Sequence, residues 1–161
     1  MSRPLTAGEV AIARSVFGEA VDYARVRLST RRWGGFAIAF GSYVTFPPAS
    51  PAPADFAAES IRRQAWLIHE LVHVWQFQTA PLRTLASWAL TVVRGGYGPG
   101  LPGYRYRLPL KPWAAHNLEQ QASIVEHAFV LRETGLCAGA PAGATAAVLN
   151  RIPPFAPSRQ T

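Results

Sequence analysis

One stretch constrains this chain more than any other: the run from about Phe56 to Gln78, where Ile61, Ala65, Ile68, Val72 and Trp75 recur at helical spacing. Asp55 can cap its start and Pro81 breaks the pattern at its far end, so one long helix is predicted. Such a helix must bury its apolar stripe against the rest of the domain. Three polar residues interrupt it, His69, Glu70 and His73, within "LIHELVHVWQ". Residues four apart project from the same side of a helix, one turn above the other. His69 and His73 can therefore hold one metal ion together. Glu70 projects beside it, where it can take a proton from a polarised water and leave hydroxide to attack a carbonyl. That chemistry is why H-E-x-x-H is read as a metallopeptidase signature. The chain has only 4 histidines, so finding two of them around a glutamate carries weight.

A hydrolytic zinc site keeps three protein ligands and one position for water. The metzincin extension requires a glycine at position 76 and a histidine at 79, and Gln76 and Thr79 stand there instead. Cys137, the single cysteine, can form neither a thiolate site nor an intramolecular disulfide, which fits a reducing compartment. Downstream of Glu70 the carboxylates are Glu119, Glu126 and Glu133, on one stripe of a second long helix over about residues 115–134 that ends at Gly135. Glu133 lies near that helix's end and is the poorest candidate. His116 and His127 occupy the neighbouring stripe, with Ser123 between them. Spacing alone leaves Glu119, Glu126 and the two histidines open as the third ligand.

The rest of the chain predicts a mixed domain. Thr6 and Glu9 form a capping box ahead of "AGEVAIARSVF", a short helix ended by Gly18. "DYARVRLS" alternates with Ala24, Val26 and Leu28 on one side, the pattern of a half-buried strand. "FAIAFGSYVTF" reads as a hairpin around Gly41-Ser42, and "PPASPAPA" as a rigid connector. "LRTLASWALTVV" predicts a helix ended by Gly95-Gly96, then a Gly/Pro/Tyr-rich loop as far as Pro112. Tyr104 and Tyr106 in that loop are candidates to donate an O–H to a developing oxyanion. "PAGATAAVLNRI" predicts a last short helix, and the tail after Pro153 reads as frayed. At 161 residues, one domain over 1–161 is the expectation.

The formal net charge is +7, but the arginines are scattered and the densest groups are pairs, Arg31-Arg32 and Arg62-Arg63. Without a basic run or a recognisable motif, a nucleic-acid partner is not expected. The N-terminus lacks the apolar core of a signal peptide, and "TLASWALTVV" is too short to span a bilayer. The simplest reading is a cytoplasmic protein, with signal-independent export leaving no mark in the sequence.

"HELVHVWQ" followed by "NLEQQASIVEH" resembles the bacterial gluzincin-type metallopeptidases, in which an H-E-x-x-H-V-W-Q helix is followed by an N-x-E-Q-Q-A helix. The opening, "LTAGEVAIARSVFGEAVDYARVRL", also resembles chains described as Vgr-related. Together the resemblance spans roughly Leu5 to Gly135. It implies an α+β, zincin-like fold with a small N-terminal sheet packed on the H-E-x-x-H helix. It also implies one zinc ion per chain on His69, His73 and Glu119, Glu70 as the catalytic base, and a peptide or protein substrate. The Vgr-related part implies association with a secretion apparatus, and with it the alternative of a weakly active accessory module. Four residues after the implied ligand the family usually carries an acid that orients a metal-bound imidazole; here Ser123 stands there, able to accept a bond but not to add charge. Glu126 and His127 are further candidates to line the site.

Overall fold

The computed structural model describes residues 2–93 and 102–149. Its first helix, α1 (Ala7–Phe17), starts at the capping box: Thr6 Oγ1 accepts from Glu9 N at 3.0 Å and Glu9 Oε2 accepts from Thr6 N at 2.8 Å. The Glu9 carboxylate is fully buried and does more than cap. It accepts from the Arg3 guanidinium at 2.8 and 2.6 Å and from Phe56 N at 2.9 Å. One side chain thereby ties the N-terminal strand, α1 and the approach to the long helix together. Arg3 is 28% exposed and keeps backbone acceptors, so removing Glu9 costs the hydrogen bonds to a charged group, roughly 1.5–3 kcal/mol. Glu9→Ala is expected to lose about that much in urea denaturation; a loss below about 1 kcal/mol would show the cluster to be ornamental.

Four strands form the sheet: β1 (Ser2–Arg3), β2 (Arg27–Thr30), β3 (Ile38–Phe40) and β4 (Tyr43–Phe46), in the order β1-β2-β4-β3. β2 and β4 run parallel, and the outer pairs are antiparallel. The β3–β4 hairpin turns at Gly41, whose φ of +59° favours glycine. Leu28, Val44 and Ala39 share a register row and face the core. The adjacent row, Arg27, Tyr43 and Phe40, faces outward, with Tyr43 and Phe40 exposed. β3 is therefore an edge strand.

Two expected boundaries move. Tyr23–Arg25 is a 3₁₀ turn rather than the start of a strand, and Tyr23, not Ala24, turns inward. The Tyr23 hydroxyl donates to Gly18 O at 2.6 Å and the Arg14 guanidinium lies over its ring, so a tertiary anchor overrides the alternation. The long helix, α2 (Ile61–Thr79), starts later than Phe56. Phe56–Ala58 makes a separate 3₁₀ turn that Asp55 caps, because Phe56 N is committed to Glu9 and its ring is buried against Phe46.

α2 is buried almost all round from Leu67 to Phe77, wider than the single stripe expected. It sits between the sheet, α3 (Pro81–Val93) and α4 (Leu118–Thr134). α4 opens on Asn117, which forms a capping box with Gln120, and closes on Gly135 at φ 74°. The expected start near residue 115 therefore moves inward: Trp113–Ala115 is its own 3₁₀ turn, and His116 precedes the helix. α5 (Ala146–Leu149) is short and packs Leu149 with Tyr106, Ile124 and Leu131 in a second core cluster. The expected helix end at Gly95-Gly96 and the tail after Pro153 lie outside the described residues. Among those described, no helix is long and apolar enough to cross a membrane.

Candidate metal centre

α2 and α4 bring His69, His73 and Glu119 together, with one ligand atom of each within 4.8 Å of the others. The imidazole orientations are set by the hydrogen bonds on their far sides. Gln76 Nε2 donates to Leu118 O at 3.2 Å and to Gln121 Oε1 at 2.9 Å. A carbonyl only accepts, so this fixes the amide, and Gln76 Oε1 faces His73 Nδ1 at 2.8 Å. His73 Nδ1 must then carry the proton and donate. His69 Nδ1 likewise donates to Glu126 Oε2 at 2.8 Å. Both Nε2 atoms are left facing Glu119 Oε2, each at 3.4 Å.

With both imidazoles neutral, their two lone pairs and a carboxylate oxygen repel one another unless a cation lies between them. A proton bridge would draw nitrogen and oxygen to about 2.7–2.9 Å. Metal bonds of about 2.0–2.1 Å at tetrahedral angles instead put neighbouring ligand atoms about 3.4 Å apart. The donor set of two imidazoles and a carboxylate suits a divalent first-row ion, so the residues present fit a metal. His69, Glu70, His73 and Glu119 are all buried, at 8, 5, 9 and 3% relative exposure, and they face solvent only through the cleft they line.

The same geometry moves the titrations. Burial pushes Glu119 up, but the His73 and His69 imidazoles outweigh it and hold the carboxyl far below the usual range. Burial pushes both imidazoles down, yet Glu119, joined at His69 by Glu126, raises each above its ordinary value. Glu70 is raised by burial, only partly offset by the two imidazoles.

The triad forms one wall of a cleft of about 560 Å³. Phe36–Ala39, running into β3, line it as well, and α3 contributes Thr84 and Trp88. Glu70 and Tyr104 line the cleft too, and the Tyr104 ring stacks over His69 at 6.2 Å and 18°.

No protein-family model matches the chain. Over 136 residues it is 36% identical to the type VI secretion system spike protein VgrG2b of Pseudomonas aeruginosa, a match covering 80% of this chain and 13% of that protein. Among solved structures, the effector domain of P. aeruginosa VgrG2b aligns with a TM-score of 0.70 and 31% identity, covering 92% of this chain and 80% of that one. The chain belongs to the VgrG2b effector-domain family. It spans about 13% of the length of the spike protein it matches.

In this member of the VgrG2b effector-domain family the imidazole partners differ from those the sequence suggests. Ser123 is buried, but the two Nδ1 atoms are taken by Glu126 and Gln76. The negative charge that Ser123 does not supply comes from Glu126, one helical turn further on. Tyr106 is not in the cleft: it is packed in the second core cluster, with its hydroxyl 2.9 Å from His127 Nδ1. His127 thus lies beside Tyr106 and does not line the cleft. His116 is buried ahead of α4, not placed on a helix surface.

Sequence reasoning misses Gln76 and Gln121 as site residues, although "VWQ" and "EQQ" contain them. Gln120 completes the capping box and donates to Arg105 O at 2.8 Å. Gln121 supports Gln76, and Gln121 Nε2 is itself held by Trp113 O at 3.1 Å. Loss of an outer partner typically weakens metal binding about 10–100-fold. Glu126→Ala is expected to fall in that range in competition with a chromogenic chelator, and Ser123→Ala to fall below it. The reverse order would overturn the assignment of Glu126.

Proposed function

We propose that this chain is a secretion-delivered effector domain that hydrolyses peptide bonds with zinc, on a zincin-like fold. The observation that carries the reading is the convergence of both Nε2 atoms on Glu119 Oε2 at 3.4 Å, beside buried Glu70 and at the wall of a cleft. His69, His73 and Glu119 would hold one zinc per chain, which supplies Lewis-acid polarisation of water and carbonyl. Glu70 takes the proton of the attacking water on its carboxylate and passes it to the leaving amine. Its raised pKa suits both halves of that transfer. β3, an edge strand bordering the cleft, takes an extended peptide by strand addition. Tyr104, which lines the cleft with its ring against His69, would be the tyrosine that donates to the oxyanion.

The match to a spike protein supports delivery through a type VI apparatus and association with a Vgr-type spike. That reading favours export over residence in the cytoplasm.

A second reading is an accessory module in which zinc chiefly pins α2 against α4. The match to a type VI secretion system spike protein supports it.

Elemental analysis of chain purified without chelator, with an anomalous map at the zinc edge, is expected to show one zinc on His69, His73 and Glu119. Absence of zinc, with no uptake on addition, overturns the metal reading. With zinc in place, a peptide library that remains uncut leaves the accessory reading standing.

A further inference from the structure

Gln76 and Gln121, which hold His73 in place, also line a second cavity of about 510 Å³. It meets the metal cleft at Thr84 and Leu118, and none of the metal-centre residues lines it. The two spaces differ in charge. Glu70, Glu119 and Glu126 line the metal cleft, whereas no described Asp or Glu lines the second cavity. Its charged or titratable lining residues are Arg83 and His116.

Both side chains have hydrogen-bonding capacity to spare. His116 is 8% exposed, and its Nε2 is buried without a hydrogen-bond partner among the described residues. Native structures rarely leave such an atom unpaired, and a bound acceptor is one explanation for it. Arg83 is exposed on α3 and makes no hydrogen bond or ion pair among the described residues. Asn117 and Leu118, where α4 begins, also line the cavity and bring the positive end of that helix to it. The remaining lining is mixed: Gln76, Thr79, Thr84, Ser87 and Gln121 are polar, while Trp75 and Trp113, meeting edge to face at 6.4 Å, supply an apolar face, and Leu90 lines the cavity too.

We propose that this cavity binds an organic carboxylate with a flat apolar body. The carboxylate pairs with Arg83 and accepts from His116, and the body lies against Trp75 and Trp113. The chemistry is shared by the carboxyl end of a peptide and by a free small acid. It needs no metal, so its fate is separate from that of the zinc reading.

The test is calorimetric titration of the full, metal-free chain with indole-3-acetate and with its neutral isostere, indole-3-acetamide. The acid is expected to bind at least about tenfold more tightly, the size of one charge-assisted contact. Arg83→Gln and His116→Gln should each remove most of that preference. Arg83 is exposed, so its variant keeps the fold even if the buried His116 variant does not. Equal affinity for acid and amide, no binding of either, or an unchanged preference in Arg83→Gln overturns the proposal. A second arm adds N-acetyl-Gly-Trp with a free or an amidated terminus as competitor. Displacement by the free acid alone assigns the site to peptide ends, and displacement by neither peptide assigns it to free small acids.

Discussion

Glu70→Gln is expected to lower peptide hydrolysis by about 10²–10⁴-fold while zinc content stays at that of the parent chain. The substitution is nearly isosteric and Glu70 is not among the three converging atoms, so the triad of His69, His73 and Glu119 is left in place. What is lost is a group able to accept a proton at neutral pH. Burial raises the Glu70 carboxyl, which strengthens it as a base, and the same burial keeps bulk water from substituting for it. A glutamine there can hold a water but cannot deprotonate it. The measurement is kcat on any library peptide the parent cuts, alongside metal content from the same preparation. Undiminished hydrolysis in the variant would mean the proton goes elsewhere and would sink the assignment. Lost hydrolysis with lost zinc would instead show that Glu70 supports the metal, and a Glu70→Asp variant would separate reach from charge.

The sequence carried much of this arrangement, and its omissions have a common cause. Thr6 and Glu9 define α1 because a capping box is local, and Gly41 defines the hairpin for the same reason. His69, Glu70 and His73 are legible because helical spacing alone puts them on one side. Spacing leaves Glu119 among several candidates, and only the family resemblance implies it as the ligand. The imidazole partners were less legible. Positions 119, 123 and 126 lie on adjoining stripes of α4, and only the way α4 packs on α2 decides that position 126 meets His69. Gln76 and Gln121 are equally opaque, because their function is to meet each other across two helices. Tyr23 misled for a related reason: its hydroxyl finds Gly18 O, a contact that alternation cannot report. The cleft lining from Phe36 to Ala39 depends on where the edge strand lies and has no sequence signature.

Zinc is expected to reverse the sign of the chain's pH dependence, and Glu119→Gln to abolish that reversal. Without metal, burial pushes His69 and His73 down, but Glu119 and Glu126 raise them above their ordinary value. Groups raised on folding stabilise fully below their unfolded pKa, about 6.5 for histidine, and lose that contribution as pH climbs through the folded value. Glu119 runs oppositely: its lowered pKa stabilises above an unfolded value of about 4.3 and is lost only as pH falls through the folded one. The metal-free cluster therefore stabilises most between about pH 4.3 and 6.5 and weakens toward alkaline pH. Glu70, raised by burial, lowers stability as pH climbs from its unfolded value of about 4.3 through its raised folded value. A metal needs both imidazoles neutral, so zinc must displace their protons and its apparent affinity rises with pH. Melting temperature monitored from about pH 5 to 9 should fall with chelator present and climb with zinc. In Glu119→Gln the chelator curve flattens, because the imidazoles lose the charge that raised them. The zinc curve collapses onto it, a loss in affinity exceeding the roughly 10–100-fold of an outer partner. Parallel curves with and without zinc in the parent chain would mean that no ion displaces those protons, and the metal centre would be wrong.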